Sequence, residues 1–481
     1  MTNDNIRLRF APSPTGFLHI GNLRTAFFGY LIAKSLGGKF ILRIEDTDQK
    51  REVAGSATSL LKILAWVGIK FDEGPGIGGE YGPYIQTARL EVYKKLANEL
   101  IEQGKAYRCF CSAERLTVMR AEQEKNKKPP RYDRTCRELS AAEIEQKINA
   151  GDNFVIRQKM PLTGEVLVFD ELRGEIKFAA ADLDDHVLIK SNGIPTYQFA
   201  SVVDDHLMEI SHVTRGDEWL ASFPKNILLY QAFGWTPPKF IHLPLLLNKT
   251  GGKLSKRQGD VFVEQYKDKG YLPEAIINFC ALLGWHPKGD KEILTLQELE
   301  KDFSINGMGV SPAIFDEEKL DYLNGYYIRE KSNSELAELC RPFLEAAGLK
   351  PDERLENFVS LGKDRMKKIA DAPELLGFFF KLPAYEENLL SWKGMSIEET
   401  KQNLQALADL LATVSPENWE KEKLETMTLA WIKDRNGKNG DYLWPLRVAL
   451  SGQKNSPGPL EIAWALGKEE TLARIKKSLT F

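Results

Sequence analysis

The sequence predicts an α/β fold, in which a parallel-sheet domain of nucleotide-binding type is interrupted by an α+β insertion and followed by an all-α carboxyl-terminal region. Three observations lead there. The first fifty residues read strand, helix, strand. The stretch from about 91 to 190 breaks into short helices and short alternating strands, and beyond Gly251-Gly252 helical periodicity runs almost uninterrupted to Phe481. Alternating strands and helices build a helix-covered parallel sheet, whereas a purely helical run must bury its apolar faces against itself.

Arg7 to Phe10 alternates like a strand and stops at Ala11-Pro12-Ser13-Pro14-Thr15-Gly16, where two prolines and a glycine break regular structure. Ile20, Leu23, Phe27, Tyr30 and Leu31 then recur at helical spacing until Gly37-Gly38 supplies a stop. The run Phe40-Ile41-Leu42-Arg43-Ile44 reads as a buried strand that delivers Glu45-Asp46-Thr47-Asp48 at its carboxyl end. Such a unit is parallel and right-handed, with ligands beyond the carboxyl ends of its strands. Gly74 to Gly79 is glycine-rich but not between strand and helix, so it reads as a surface turn.

From 91 to 190 come two helical stretches, a basic proline-containing loop and strands around Phe154 to Gln158 and Glu165 to Phe169. Ile194 to Trp235 returns to strand and helix, so 1–90 and 191–250 together form the sheet domain around an inserted 91–190. The segments 251–330 and 331–481 read as helical, with a cap at Ser311-Pro312 and a break at Ser456-Pro457-Gly458-Pro459.

At 481 residues, length predicts roughly three domains. Hydrophobic residues at 43% and charged residues at 28% exclude collagenous, low-complexity and disulfide-scaffold classes. Net charge is −3, so any nucleic-acid surface has to be local, with 120–137, 363–368 and 433–438 as the basic stretches. The polar amino terminus lacks a secretory signal, and no apolar run approaches the ~20 residues that span a bilayer. Five cysteines, an odd number in a long chain, fit a reducing cytoplasm, with Cys280 and Cys340 as core residues.

A triphosphate needs backbone donors, a helix amino terminus and fixed cations. The G-x-x-x-x-G-K-[ST] loop is absent. The candidate in its place is Pro12 to Asn22, joining first strand to first helix, where Gly21 lets an adenine approach the backbone and His19 can donate to phosphate. A second candidate is Lys253-Leu254-Ser255-Lys256-Arg257 in a glycine-flanked loop, whose cations could close over a triphosphate and neutralise a departing pyrophosphate. Either segment alone is also compatible with a capping histidine or a solvated basic loop, so the pair carries the argument.

These two segments resemble the HIGH and KMSKS signatures of class I aminoacyl-tRNA synthetases. Ala11 to Gly16 and Phe40 to Asp48 are similar to the glutamyl and glutaminyl subgroup. Pro130-Arg131-Tyr132-Asp133, Val203-Asp204-Asp205-His206, Arg215-Gly216-Asp217-Glu218-Trp219, Ala281 to Trp285 and Lys319 to Gly325 are similar to the bacterial glutamyl type. The likeness covers about 7 to 330, and Asn22 departs from the histidine that ends the first signature in many class I enzymes. It implies a Rossmann-type catalytic domain, an acceptor-end-binding insertion at 91–190, a stem-contact helical domain at 251–330 and a helical anticodon-binding domain at 331–481.

By position, the resemblance implies that Arg9, Ala11, Ser13, Glu45, Tyr197, Arg215 and Trp219 bind L-glutamate. Glu45 would meet its ammonium, and Tyr197 and Trp219 would form the pocket wall. Pro12, Ser13, Thr15, Gly16, His19, Gly21, Asn22 and Lys256 would hold ATP. His19, Lys253, Lys256 and Arg257 would carry the chemistry with Mg2+. A guanidinium fork reads a carboxylate by two parallel bonds and rejects an amide, which brings donors where acceptors are needed. The implied reaction is ATP-dependent activation of glutamate and its transfer to tRNA(Glu), by a monomer in the cytoplasm and without a membrane.

Cys109, Cys111 and Cys136 have zinc-ligand character, and some bacterial members of the family hold zinc there. Those members supply a histidine where this chain has Glu138. The fourth ligand is therefore Glu138 or Tyr132, or the three thiols are simply free. A non-discriminating enzyme that also charges tRNA(Gln) and an inactive tRNA-binding paralogue are the alternative functions. The short queuosine-modifying enzyme would lack everything beyond Asp260, and the glutaminyl enzyme has β-barrels where 331–481 reads as helices.

Overall fold

The computed structural model describes residues 6–48, 51, 53, 55–254 and 261–480. They fall into two compact units, Met1–Tyr266 with Ile276–Asp316, and Lys267–Ala275 with Glu317–Phe481. In chain order the first contains β1 (Arg7–Phe10), α1 (Ile20–Ser35), β2 (Lys39–Leu42), α2 (Ser56–Trp66), α3 (Leu90–Glu102), β3 (Ala106–Cys109), α4 (Ala113–Lys125), α5 (Ala141–Asn149), β4 (Val155–Gln158), β5 (Glu165–Asp170), β6 (Gly174–Ala179) and β7 (Val187–Ile189). It continues with α6 (Tyr197–Leu207), β8 (His212–Gly216), α7 (Phe223–Phe233), β9 (Lys239–Leu243) and β10 (Leu246–Leu247). Then follow α8 (Val263–Asp268), α9 (Pro273–Leu282), α10 (Leu296–Asp302) and β11 (Ala313–Ile314), the end of α8 and the start of α9 belonging to the second unit.

Among the described residues the main sheet has six strands in the order β2-β1-β8-β9-β5-β6. Its first five strands are mutually parallel, and β6 runs antiparallel to β5. The carboxyl ends of β1, β8 and β9 therefore open side by side. Helix α1 crosses between β1 and β2 as its spacing predicts, and Ile20, Leu23, Phe27, Tyr30 and Leu31 are all buried. Its far side is covered as well, Phe28 lying edge-on against Phe303 at 5.1 Å. Gly29 permits the close approach to the sheet, because a Cβ there would sit 3.0 Å from Thr214 and 3.1 Å from Phe40.

Two expectations are corrected. The strand at Glu165 to Phe169 was expected within the insertion, yet β5 and β6 extend the main sheet, β5 pairing with β9. Alternation explains it, since Val166, Val168 and Asp170 are buried while Glu165, Leu167 and Phe169 are exposed, giving a sheet strand with one covered face. The insertion's own three-stranded sheet is β3-β4-β7. Ser311-Pro312 leads into strand β11 rather than capping a helix. The N–H groups of Ala313 and Phe315 donate to the carbonyls of Leu245 and Leu247, and buried Phe315 anchors the segment.

The second unit is helical: α11 (Glu317–Glu330), α12 (Asn333–Ala346), α13 (Leu355–Gly362), α14 (Ala372–Phe380), α15 (Ile397–Ala412), α16 (Lys421–Asp434), α17 (Asn439–Ser451), α18 (Pro459–Leu466) and α19 (Lys468–Leu479). Ser332 with Glu335 and Ser396 with Glu399 form capping boxes that satisfy the first amides of α12 and α15. Buried Arg474 on α19 donates to the carbonyls of Phe378, Phe379 and Leu450, fastening the ends of α14 and α17. No helix among the described residues is long and apolar enough to cross a membrane.

Candidate active site

A cavity of about 370 Å3 opens at the carboxyl ends of β1 and β8, where such a sheet offers its ligand site. Arg9, Ala11, Pro12, Ser13, Thr15, Gly16, His19, Asn22, Tyr197, Arg215 and Trp219, all expected at the site, line it together with Glu218. An adjoining cavity of about 290 Å3 is lined by Gly21, Arg24, Leu246 and Lys253, and it shares His19, Asn22 and Glu218 with the first. His19 thus stands at the junction of two compartments, the second of which Lys253 also lines. Lys256 and Arg257 lie outside the described residues.

His19 caps α1. Its Nδ1 accepts from the Gly21 N–H at 3.0 Å, so the neutral ring carries its proton on Nε2. The Nε2 N–H is a donor near the helix amino terminus, where an anion is favoured.

Arg9 comes from the carboxyl-terminal half of β1 and Arg215 from β8, and both are buried. Their surroundings differ. Arg9 is held by Asp205, whose oxygens lie 2.9 Å from Nε and 3.3 Å from Nη2. Burial opposes the Arg9 charge, but Asp205 outweighs it and holds the guanidinium above its ordinary range. Arg215 touches no carboxylate among the described residues, and burial pushes it down to about 10, so it remains charged at neutral pH. One of its terminal nitrogens is buried without a hydrogen-bond partner. Tyr197 and Trp219 form a wall, with ring centroids 4.6 Å apart.

Glu45 does not line the cavity. It lies behind it, fully buried, with Oε1 2.8 Å from Arg43 and Oε2 without a partner. Burial pushes its carboxyl up to about 7 against the pull of Arg43 and Arg9. Arg43 in turn donates to Asp205 at 2.7 Å. Asp205 and Arg43 stood within recognised motifs, yet their type and spacing gave them no role.

Cys109, Cys111 and Cys136 bring three sulfurs within 4.8 Å of one another. The Tyr132 hydroxyl is 3.2 Å from Cys109 and 3.4 Å from Cys111, and it also accepts from the Cys136 N–H. Glu138 is 81% exposed and faces Arg137, apart from the thiols. Three thiolates and one oxygen donor fit a tetrahedral Zn2+ site, and of the two candidate fourth ligands the geometry favours Tyr132.

The family described as class I tRNA synthetases (E and Q), catalytic domain, matches residues 5–322. The chain belongs to this family. An anticodon binding domain matches residues 335–479 of the synthetase. It is 47% identical over 479 residues to a glutamate–tRNA ligase of Clostridium botulinum (strain Hall), covering 99% of this chain and 98% of that one. To the glutamate–tRNA ligase of Clostridium acetobutylicum it is 45% identical, with 99% and 98% covered. A glutamate tRNA ligase from Elizabethkingia meningosepticum, solved in complex with its amino acid, superposes with a TM-score of 0.92 at 35% identity, covering 99% of both chains.

Proposed function

We propose that this synthetase is a glutamate–tRNA ligase that binds L-glutamate in the larger of these two cavities and ATP beside it, activates the glutamate with that ATP, then passes the glutamyl group to tRNA(Glu). The observation that carries this reading is the junction: Arg9 and Arg215 share one cavity with His19, and His19 shares the next with Lys253. Two guanidinium groups suit a dicarboxylate. A histidine donor at a helix amino terminus beside lysine suits a polyphosphate.

In the first step the glutamate α-carboxylate attacks the α-phosphorus of ATP, forming glutamyl-adenylate and releasing pyrophosphate. In the second, the terminal adenosine hydroxyl of tRNA takes the acyl group and AMP leaves. No protein nucleophile is needed, so the chain contributes position and charge. Arg9 and Arg215 bind the carboxylates, and Ala11, Ser13, Tyr197 and Trp219 shape the wall, while Glu45, behind the cavity, acts through Arg43 rather than by touching the ammonium. Pro12, Ser13, Thr15, Gly16, Gly21 and Asn22 cradle the nucleotide, while His19, Lys253, Lys256 and Arg257 stabilise the charge that develops on the phosphates. Mg2+ bound with ATP would share that charge.

Zn2+ would be held by Cys109, Cys111, Cys136 and Tyr132, fixing the insertion built on β3, β4 and β7 that we read as gripping the acceptor end. The segment 251–330 is read as contacting the tRNA stem and 331–481 as binding the anticodon, in a monomeric cytoplasmic enzyme. Charging of purified tRNA pools, supported by pyrophosphate exchange with tRNA present, tests the reading. Glutamate-dependent exchange and acylation of tRNA(Glu) are expected, and acylation of tRNA(Gln) by the same enzyme would mark it as non-discriminating. Exchange supported by another amino acid and not by glutamate would overturn the reading.

A further inference from the structure

Arg215 is held by a chain of side chains that contributes no negative charge at the point of contact. Its Nε donates to His242 Nε2 at 2.9 Å, and the other ring nitrogen, Nδ1, lies 2.8 Å from Asp170 Oδ2. A terminal nitrogen donates to Asn226 at 3.3 Å, and the remaining one is buried without a partner. The three residues come from neighbouring strands of one sheet, Arg215 on β8 opposite His242 on β9, and Asp170 at the end of β5. Asp170 is itself fixed, accepting from the backbone amides of Leu172 at 3.0 Å, Arg173 at 3.1 Å and His242 at 2.9 Å. His242 and Asp170 are both fully buried.

From this geometry we infer that His242 and Asp170 are positioning residues for substrate selection, holding the Arg215 fork in place while leaving its charge uncompensated until a carboxylate enters. The inference rests on the reading of the cavity as the glutamate site. Asp170 is an acceptor, so the ring proton sits on Nδ1, and the lone pair on Nε2 faces the Arg215 N–H. A reversed or doubly protonated ring would set donor against donor. Burial lowers the His242 pKa and favours the neutral ring, in keeping with this tautomer. A carboxylate placed directly on Arg215 would orient it equally well but neutralise it, as Asp205 does to Arg9. A neutral imidazole orients without neutralising. The site then meets a γ-carboxylate with one balanced and one unbalanced guanidinium, and glutamine's amide supplies no charge to the second.

The test compares His242→Phe, which removes the acceptor, with His242→Gln, which can restore an oxygen acceptor, in aminoacylation assays of the full chain with tRNA present. His242→Phe is expected to raise the KM for glutamate at least tenfold, lower the preference for glutamate over glutamine, and leave the KM for ATP within twofold. His242→Gln should recover most of the glutamate KM. Asp170→Asn, nearly isosteric, should raise the glutamate KM at least fivefold with the ATP KM unchanged, and it serves where the phenylalanine variant does not fold. Glutamate KM within twofold of the parent in the variants, or glutamate and ATP KM rising together, would overturn the inference. Arg215→Ala separates the two levels. If it leaves glutamate binding intact, the reading of the cavity fails; if it abolishes binding while His242→Phe and Asp170→Asn do not affect it, only the role of the chain fails.

Discussion

Asp205 grips Arg9 with both carboxylate oxygens and accepts from Arg43 with one of them, so a single buried anion lies between two buried cations. Removing that anion leaves two guanidinium groups facing each other out of water. Asp205→Asn is therefore expected to cost about 3 to 5 kcal/mol of stability, the range for breaking one side of a buried pair. Denaturant unfolding measures it. Arg9→Lys keeps the charge and loses the fork, so its effect should be specific: the glutamate KM rises at least tenfold and the ATP KM hardly moves.

Glu73 makes the second buried fork of the sheet domain, with oxygens 2.8 and 2.9 Å from the two terminal nitrogens of Arg7, and it also accepts from Tyr84 at 2.6 Å. The hydrogen bonds from Arg7 hold its carboxyl near 2, below the ordinary 4.5. A carboxylate depressed in the folded state contributes stability above its unfolded pKa. That contribution is lost as pH falls from about 4.5 toward 2. At 1.36 kcal/mol per pKa unit it is on the order of 3 kcal/mol. Unfolding free energy measured from pH 6 down to pH 3 should fall less steeply in Glu73→Gln than in the parent, and the variant should be less stable at pH 7. Parallel curves would show that Glu73 contributes nothing to acid sensitivity.

How much of this was legible depends on whether a residue acts through its neighbours in sequence or across the sheet. The Pro12 to Asn22 segment was legible, because turn, helix cap and phosphate donor are packed within eleven residues and their order reports their geometry. Arg9 and Arg215 were found through the resemblance, and the structure brings both to one cavity. His242 and Asp170 left no signal. Each is an unremarkable residue on a strand, and only the register of β5, β8 and β9 aligns them with Arg215. The strand at Glu165 to Phe169 reads as part of the insertion for the same reason, since alternation reveals a half-buried strand but not the sheet it joins. The same limit held at the thiols, where spacing could not choose between Glu138 and Tyr132, and folding put the tyrosine hydroxyl against two sulfurs.

The thiol cluster predicts a metal stoichiometry. The full chain purified without chelator should carry about one zinc per molecule by elemental analysis, and Cys109→Ser, Cys111→Ser and Cys136→Ser should each lose it. Tyr132→Phe should weaken retention in competition with a chelator, whereas Glu138→Ala, altering an exposed carboxylate, should not. Stoichiometric metal in the cysteine variants would exclude these sulfurs as ligands. Metal loss should loosen the insertion and raise the KM for tRNA more than that for ATP, because the thiols lie outside both cavities.

His19 both caps a helix and faces the junction of the cavities, and two substitutions separate these tasks. His19→Asn keeps a side-chain acceptor for the first amides of α1 and should retain stability, since asparagine is among the preferred caps. It lacks a ring nitrogen to reach a phosphate, so the turnover of glutamate-dependent, ATP-dependent charging should fall about 10^2 to 10^3-fold, the usual cost of one transition-state donor. Gly21→Ala probes the same ring from the other side. Alanine favours a helix over glycine by about 1 kcal/mol, but its Cβ would lie 3.2 Å from His19 Nδ1 and 3.8 Å from Leu246. The ring must give by a few tenths of an ångström, so the ATP KM should increase about tenfold, the scale of a misplaced positioning contact. Unchanged ATP kinetics in both variants would mean that the histidine serves only the helix, and the nucleotide site would have to be sought elsewhere.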